Sequence, residues 1–503
     1  MIRTKRPSTS RILWRGLCPS VAWLGLGTVQ PAVAAAADFA EPDVRVIWEM
    51  HGAPGSYFGW AVAELADIDG DGRREAMAGA PGHDPGTGAT GRAVIVSGAT
   101  GHTLHDFRGE PGSGFGYAIA DAGDVNADGH HDIIVGAPNL EAGHAFVHSG
   151  ADGSRLLALA GEAAGDRFGA AVASAGDVNR DGYADLLVGA PGTAQPEANS
   201  GSAYVFSGKD GSQLRALTAT GGGDRFGSAT AWVGDLTEDG VPELFVAGRD
   251  AGAEQKGQAY VYNGVTGELA FAPFDGGMRG VDLGWFFVAT PGDVDGDGVN
   301  DLYLGDFNAT SKGPATGEAY VYSGASGSLL HAFYGASAGQ GLGPGRGAGD
   351  IDGDGLPDIV AGSYLSSDAV AGGGKLSFFS GATGERLRTI TSRTQGENLG
   401  FDAVTVGDVD GDGWDDTLAS AASGDAVYLI AGREYEDDCP EDPATGDTGD
   451  TDPDPDSATG DGAPHPDKPW SCQIGEPPGS PGATWAVLAL LGLGACRRRP
   501  KAA

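Results

Sequence analysis

The chain has 503 residues, which is long for one ordinary domain but within reach of a repeat fold. Glycine accounts for 89 residues, far above the usual ~7%, and short apolar runs recur between the glycines, which indicates turn-rich β structure rather than disorder. The formal net charge of −38 should repel nucleic acid and anionic membrane surfaces, so it argues against both as partners.

Residues 1–37 have the pattern of a secretory signal peptide. Arg3, Lys5 and Arg6 precede an apolar stretch, and Ala32-Val-Ala34 offers a cleavage site. The sequence therefore predicts export through the general pathway. No cysteine lies between residues 40 and 430, so disulfides are not expected to hold the main domain together.

Seven acidic loops, numbered 1 to 7 here, recur along residues 38–433. Each has a carboxylate or amide at positions one, three and five, glycine at position six and a carboxylate at position nine; only loop 4 departs, with Thr237 at position three. Their first residues are 53 to 58 positions apart, which indicates one structural unit repeated. The candidate ligands are Asp67, Asp69, Asp71 and Glu75 (loop 1); Asp124, Asn126, Asp128 and Asp132 (loop 2); Asp177, Asn179, Asp181 and Asp185 (loop 3); Asp235, Asp239 and Glu243 (loop 4); Asp293, Asp295, Asp297 and Asp301 (loop 5); Asp350, Asp352, Asp354 and Asp358 (loop 6); and Asp408, Asp410, Asp412 and Asp416 (loop 7).

Alternating oxygen ligands in a tight loop favour Ca²⁺, which accepts six to eight oxygens, over Mg²⁺, which keeps its waters. In loop 5, Gly298 permits the sharp turn and the carbonyl of Val299 would add a ligand. An EF-hand is excluded because it needs a glutamate at position twelve and flanking helices. A solvated acidic turn would explain one loop, but not seven. We therefore expect up to seven Ca²⁺ ions, with loop 4 the weakest site.

Each repeat contains four short apolar runs that predict strands. Around loop 3, one strand follows Phe168-Gly169, a second leads from Asp185 to a Gly-Ala-Pro turn ending at Pro191, and two more follow. Phe168 is expected to fill the space between neighbouring sheets, with Gly169 permitting close backbone approach. Seven units of four antiparallel strands predict an all-β, seven-bladed β-propeller.

The two ends of the repeat region predict how the ring closes. The last copy ends at its third strand, near Gly432, whereas Val44–Gly52 precedes the first unit in the phase of a fourth strand. We expect the amino-terminal strand to complete the last blade, which also removes an exposed sheet edge.

These motifs resemble the FG-GAP repeat of the integrin α-subunit propeller. The resemblance covers about residues 40–433 and implies calcium on one face and partner-binding loops on the other. In the later copies Leu-Gly replaces Phe-Gly and the proline is lost. The matching elements are Phe58-Gly59, Phe115-Gly116, Phe168-Gly169 and Phe226-Gly227, then Leu283-Gly284, Leu342-Gly343 and Leu399-Gly400, with Gly79-Ala-Pro81, Gly136-Ala-Pro138 and Gly189-Ala-Pro191.

Two segments follow the propeller. Residues 434–471 form an acidic linker rich in Pro, Thr, Asp and Gly, which is expected to be a disordered, extended stalk. In residues 472–503, Cys472, an apolar run and Arg497-Arg498-Arg499 resemble the myxobacterial C-terminal sorting tail (MYXO-CTERM). That resemblance implies processing at Cys472 and attachment at the outer membrane, the only membrane contact we expect. Pairing of Cys439 with Cys472, or a poorly ordered apolar end, stays open.

No nucleophile elbow, paired-histidine zinc motif or phosphate-binding loop is present. We therefore expect no enzyme activity and predict a monomeric adhesion or interaction module for surface or matrix protein or glycan partners. A secreted hydrolase scaffold and a structural surface-layer component are the alternatives. Phe274, Arg279 and Trp285, in an aromatic-rich stretch, are candidate partner contacts.

Overall fold

Short apolar runs separated by glycine turns form strands throughout the main domain, because such runs are too short for helices and are cut off at each turn. A computed structural model describes residues 39–432 except 87, 195–196, 220, 253–254 and 276–282. Within them, the single helix is a three-residue 3₁₀ turn, Ala422–Gly424. No helix in this described part is long and apolar enough to cross a membrane.

The described residues form 28 strands in seven antiparallel sheets of four strands, as predicted. In chain order the strands are β1 (Val46–His51), β2 (Val62–Leu65), β3 (Glu75–Ala80), β4 (Arg92–Ser97), β5 (Thr103–Arg108), β6 (Ala118–Gly123), β7 (Asp132–Ala137), β8 (His144–His148), β9 (Arg155–Ala160), β10 (Ala171–Gly176), β11 (Asp185–Ala190), β12 (Ser202–Phe206), β13 (Gln213–Thr218), β14 (Phe226–Trp232), β15 (Leu244–Gly248), β16 (Gln258–Tyr262), β17 (Phe274–Asp275), β18 (Val288–Gly292), β19 (Asp301–Asp306), β20 (Glu318–Tyr322), β21 (Leu329–Tyr334), β22 (Leu342–Gly349), β23 (Asp358–Ser363), β24 (Lys375–Phe379), β25 (Arg386–Thr391), β26 (Ala403–Gly407), β27 (Asp416–Ala421) and β28 (Ala426–Ile430).

The ring closes through the amino-terminal strand, which confirms the prediction. Blades 1 to 6 take four consecutive strands each, from β2–β5 to β22–β25, and blade 7 has the order β26-β27-β28-β1. Trp48 of β1 lies opposite Leu429 of β28, and His51 lies opposite Ala426. The first strands of successive blades contact one another in a closed cycle that returns from β26 to β2. The Trp48 indole donates to the carbonyl of Gly98 at 2.8 Å, which ties blade 7 to blade 1.

The core lies between the blades rather than within one central layer. Seven clusters of buried apolar side chains each join two adjacent blades. Leu186 and Val188 of β11 pack toward blade 2, whereas Leu187 between them packs toward blade 4. Successive side chains of a strand point to opposite faces, so each blade contributes to two clusters. Removing one blade would therefore expose two apolar surfaces.

The two recurring glycine motifs set the distance between neighbouring blades. A Cβ atom on Gly136 of blade 2 would lie 2.0 Å from the carbonyl oxygen of Gly169 in blade 3, so no side chain fits there. Gly169 has a φ of +82° and donates its N–H to the carbonyl of Gly189 at 3.0 Å. Phe168 is 1% exposed and packs between blades 2 and 3, as predicted. Leu283, Leu342 and Leu399 are equally buried, so leucine fills the same role in the later blades.

Replacing Phe168 with alanine should lower the free energy of unfolding by about 3–5 kcal/mol, because it opens a cavity between two blades. Leu214→Ala in the same blade is the control, since Leu214 is 40% exposed and should change stability by less than about 0.5 kcal/mol. Denaturant unfolding of both variants measures the difference. Equal losses would contradict the interblade role of Phe168.

Candidate metal centres

All seven acidic loops lie on one face of the propeller. Each loop joins the first strand of its blade to the second, as loop 5 joins β18 to β19. The Phe-Gly or Leu-Gly turn lies at the other end of the first strand. We call the two sides the loop face and the turn face. The cyclic arrangement of the blades places loop 7 beside loop 1.

The carboxylate at position one folds each loop onto itself. Asp293 accepts the N–H of Gly298 at 2.8 Å through one oxygen and the N–H groups of Gly296 and Asp297 through the other. The bond from the glycine at position six recurs in all seven loops, at 2.7 to 3.0 Å. The tight turn predicted for each loop is therefore held by hydrogen bonds from the loop backbone to the position-one carboxylate.

The carboxylate at position nine is buried and anchors the loop to the blade. Asp301 is 0% exposed; it accepts the N–H of Val294 at 2.8 Å and that of Gly324, beyond the third strand, at 3.0 Å. Six blades share the bond from a glycine after the third strand, at 2.8 to 3.2 Å. From the sequence, the carboxylate at position nine is predicted only as a metal ligand. In five of these six blades a Ser-Gly pair at the end of the third strand was the sequence signal for this second partner, whereas blade 7 has Ala431-Gly432.

Burial makes these carboxylates costly to ionise without a cation. Removal from water raises the pKa of Glu75 and Asp358 to about 7. It likewise raises the pKa of Asp132, Asp185, Asp301 and Asp416 to about 6, and raises that of Glu243. Backbone hydrogen bonds offset this only in part. Each loop thus presents buried negative charge that a bound cation would offset.

Four loops bring three acidic side chains together with ligand oxygens within 4.8 Å of one another, in a search limited to the described residues. They are loops 1, 5, 6 and 7, which are consecutive around the ring and carry aspartate at positions one, three and five. An oxygen-only set suits a hard divalent cation, so these residues fit the predicted ion. The four groups are Asp67, Asp69 and Asp71; Asp293, Asp295 and Asp297; Asp350, Asp352 and Asp358; and Asp408, Asp410 and Asp416.

Loops 2, 3 and 4, whose residues are also described, are outside those groups and have a neutral residue at position three. In loop 2 the Asn126 amide donates to Asp128 at 2.8 Å. In loop 4 the Thr237 hydroxyl donates to Glu243 at 2.9 Å. The side chain at position three therefore separates the loops into two classes, with aspartate in loops 1, 5, 6 and 7 and a neutral residue in loops 2, 3 and 4.

Arg45, just before β1, is a residue that the sequence analysis missed. Its guanidinium donates to Asp410 and, at 2.8 Å, to Asp412 of loop 7. The two acceptors are 365 and 367 residues away along the chain, so no local pattern signals the contact. The residue that leads into the closing strand thus also contacts a candidate metal loop.

The candidate partner contacts fall in three different places. Phe274 is 5% exposed, lies in β17 and packs 4.8 Å from the ring of Tyr322 between blades 4 and 5, so the structure corrects its assignment as a partner contact. Trp285 is partly buried, and the Arg249 guanidinium lies 4.0 Å from its ring centroid. Arg279 and Cys472 lie outside the described residues.

Aromatic side chains meet across the axis on the turn face. The Trp60 ring of blade 1 lies 4.9 Å from Phe401 of blade 7, 5.5 Å from Tyr117 of blade 2 and 6.1 Å from Phe286 of blade 5. Trp285 stacks on Phe286 at 5.3 Å. We name these five residues the axial aromatic cluster. Four of them, Trp60, Tyr117, Trp285 and Phe401, directly follow a Phe-Gly or Leu-Gly motif, and this repeated position was not used in the sequence prediction.

The comparisons with known proteins agree with this architecture. The FG-GAP repeat model matches residues 115–148 and 168–206, in blades 2 and 3. Two blades of this seven-bladed propeller are therefore FG-GAP repeats. Integrin alpha-5 of Xenopus laevis is 32% identical over 231 residues, 42% of this chain and 22% of that protein. Integrin alpha-V of Gallus gallus is 32% identical over 212 residues, 38% of this chain and 20% of that protein.

The matched region is therefore about a fifth of the length of these integrin subunits. In a solved structure, a chain from the crystal structure of BBS1N in complex with ARL6DN, soaked with mercury, superposes with a TM-score of 0.51 at 11% identity. The alignment covers 78% of this chain and 98% of that one. At this identity the match supports the fold alone.

Asp301→Ala should destabilise the protein even in chelator, because it leaves two buried N–H groups without acceptors, at about 1–3 kcal/mol each. Asp295→Ala in the same loop is the control, since its exposed carboxylate should matter only when a metal is bound. Denaturant unfolding in excess chelator distinguishes the two. A chelator-treated Asp301→Ala protein as stable as the control would contradict the anchoring role.

Proposed function

We propose that this FG-GAP propeller is an exported, calcium-binding adhesion or interaction module that binds protein or glycan partners at the cell surface and is not an enzyme. The observation that carries the proposal is the division of the ring into two faces, with the acidic loops on one and the axial aromatic cluster on the other. The similarity to integrin α subunits supports it.

Calcium is the cation that best suits the loop face. Loops 1, 5, 6 and 7 offer three or four carboxylates each plus backbone carbonyls, and every side-chain ligand is an oxygen. The ligands in one loop come from a short segment, but its position-nine carboxylate is anchored to the third strand. A bound ion would therefore brace the loop against the blade, and it would remove the repulsion between the buried and exposed carboxylates.

The turn face offers the apolar surface that partner binding requires. Tyr57 is 49% exposed and its ring lies 6.1 Å from Trp60, so it extends the axial aromatic cluster to the surface. Leu365, after β23, is 39% exposed on the same face. Exposed aromatic side chains are frequent hot spots of protein interfaces, and they also stack on sugar rings.

The central axis does not favour catalysis. A catalytic pocket would need polar groups converging on an open cavity, whereas Trp60, Tyr117, Phe286 and Phe401 meet at the axis on the turn face. Outside the acidic loops, buried Asp402 is paired with Arg346 at 2.9 Å and Glu64 of β2 is paired with Arg74, so both carboxylates are held in ion pairs.

Binding of the full-length protein to arrays of immobilised glycans and purified surface proteins tests this function. We expect saturable binding that a Tyr57→Ala, Trp60→Ala double variant weakens at least tenfold. Tyr334→Ala is the control, because Tyr334 is 43% exposed at the end of the outer strand β21. No binding by the folded wild-type protein, or equal loss in the control, would contradict the proposed surface.

We also propose that residues 472–503 attach the protein at the outer membrane after processing at Cys472, with residues 434–471 as the stalk. In the producing cell, Cys472→Ala should move the protein from the cell fraction to the medium. Cys439→Ala is the matched control and should stay attached. Continued attachment of the Cys472 variant would contradict this role.

A further inference from the structure

Loop 4 differs from the other loops at two positions that are far apart in sequence but meet in the fold. Position three is Thr237, and the residue after the third strand is Asn263. Asn263 donates its backbone N–H to the carbonyl of Glu268 at 2.8 Å to close the hairpin. The residues that make the equivalent hairpin bond in blades 1, 2, 3, 5 and 6 are all serines: Ser97, Ser149, Ser207, Ser323 and Ser380.

The Asn263 side-chain amide points into the ligand positions of loop 4. Its nitrogen lies 3.3 Å from the Thr237 hydroxyl oxygen, 2.7 Å from an Asp239 oxygen and 3.1 Å from a Glu243 oxygen. Those atoms belong to positions three, five and nine, which in other loops would face the metal. One NH₂ group thus lies within hydrogen-bond reach of three candidate ligands.

The orientation of this amide is fixed by its other end. The side-chain oxygen of Asn263, Oδ1, accepts the backbone N–H groups of Val265 and Thr266 at 3.1 and 2.9 Å. A flipped amide would place NH₂ against these two donors and oxygen against the carboxylates. Only one orientation satisfies every neighbour, so the donor faces the loop.

Two further hydrogen-bond donors, Thr237 and Arg180, lie at loop 4 beside the Asn263 amide. The Thr237 hydroxyl donates to Glu243 at 2.9 Å, so in this arrangement it acts as a donor rather than as a ligand. Arg180 of loop 3 donates to the backbone carbonyl of Asp239 at 2.8 Å and brings a positive charge beside the loop. The loop also has three carboxylates at its ligand positions, whereas loop 5 has four.

We propose that loop 4 is a calcium-independent copy of the metal loop, in which the Asn263 amide and the Thr237 hydroxyl take the place of the ion. Blade 4 then keeps its loop geometry without metal, and the protein binds no Ca²⁺ at Asp235, Asp239 and Glu243. The inference rests on the proposed calcium binding of the other loops and removes one of the seven sites that the sequence predicts.

Counting bound Ca²⁺ per full-length chain, by equilibrium dialysis and elemental analysis, tests this proposal. Asp239→Asn should leave the count unchanged. Asp297→Asn, at the same position of loop 5, is the matched control and should lower the count by one. Loss of one Ca²⁺ in Asp239→Asn would overturn the proposal. An unchanged count in the control would instead contradict calcium binding at loop 5.

A variant designed to create a Ca²⁺ site at loop 4 tests the proposal independently. The double variant Thr237→Asp, Asn263→Ser restores the ligand and the serine of the other blades, and should bind one Ca²⁺ more than wild type. Asn263→Ser alone should lower the melting temperature in chelator, because the carboxylates lose their donor. No additional ion in the folded double variant, together with an unchanged melt of Asn263→Ser, would also overturn the proposal.

Discussion

Each blade buries one carboxylate at the base of its loop, and the rest of the structure depends on how that charge is accommodated. Asp301 shows the arrangement, with one oxygen toward the loop backbone and the other toward the hairpin after the third strand. The hydrogen bonds order the loop, but they do not cancel the cost of removing a carboxylate from water, as the raised pKa shows. We propose that a cation supplies the rest at loops 1, 5, 6 and 7, and that an internal donor does so at loop 4.

This local arrangement matters for the whole ring because, apart from the axial aromatic cluster, the apolar contacts among the described residues lie between neighbouring blades. Their apolar clusters lie between neighbours, and the Gly136–Gly169 approach shows how closely the backbones meet. A loop that splays would move the first strand against the next blade. Blade 7 is expected to be the most sensitive to such a movement. Its fourth strand comes from the other end of the chain, and its loop contacts Arg45 on that segment.

Most of the fold could be predicted from the sequence because its determinants are local and repeated. The loop period, the strand lengths and the phase of Val44–Gly52 correctly predicted seven blades and the closing strand, whereas the ligand positions inferred from the spacing within each loop stay a prediction. Four of the seven loops show the convergence expected of a metal site within the described residues. Loops 2, 3 and 4 differ at the third position, which the sequence showed but did not explain.

What could not be predicted depends on contacts between distant segments. Phe274 was a reasonable surface candidate in a glycine-rich stretch, yet Tyr322 of the next blade covers it. Asn263 looks like an ordinary turn residue until the fold places its amide against Thr237, 26 positions earlier. The axial aromatic cluster joins blades 1, 2, 5 and 7, so it exists only once the ring is closed.

The most direct test of the central claim is the thermal unfolding of the full-length protein in Ca²⁺ and in excess chelator at neutral pH. If cations offset the buried charge of the loops, chelation lowers the melting temperature markedly and added Ca²⁺ restores it. Superimposable melting curves in Ca²⁺ and in chelator would contradict the account, because they would mean that the loops hold the blades without a metal.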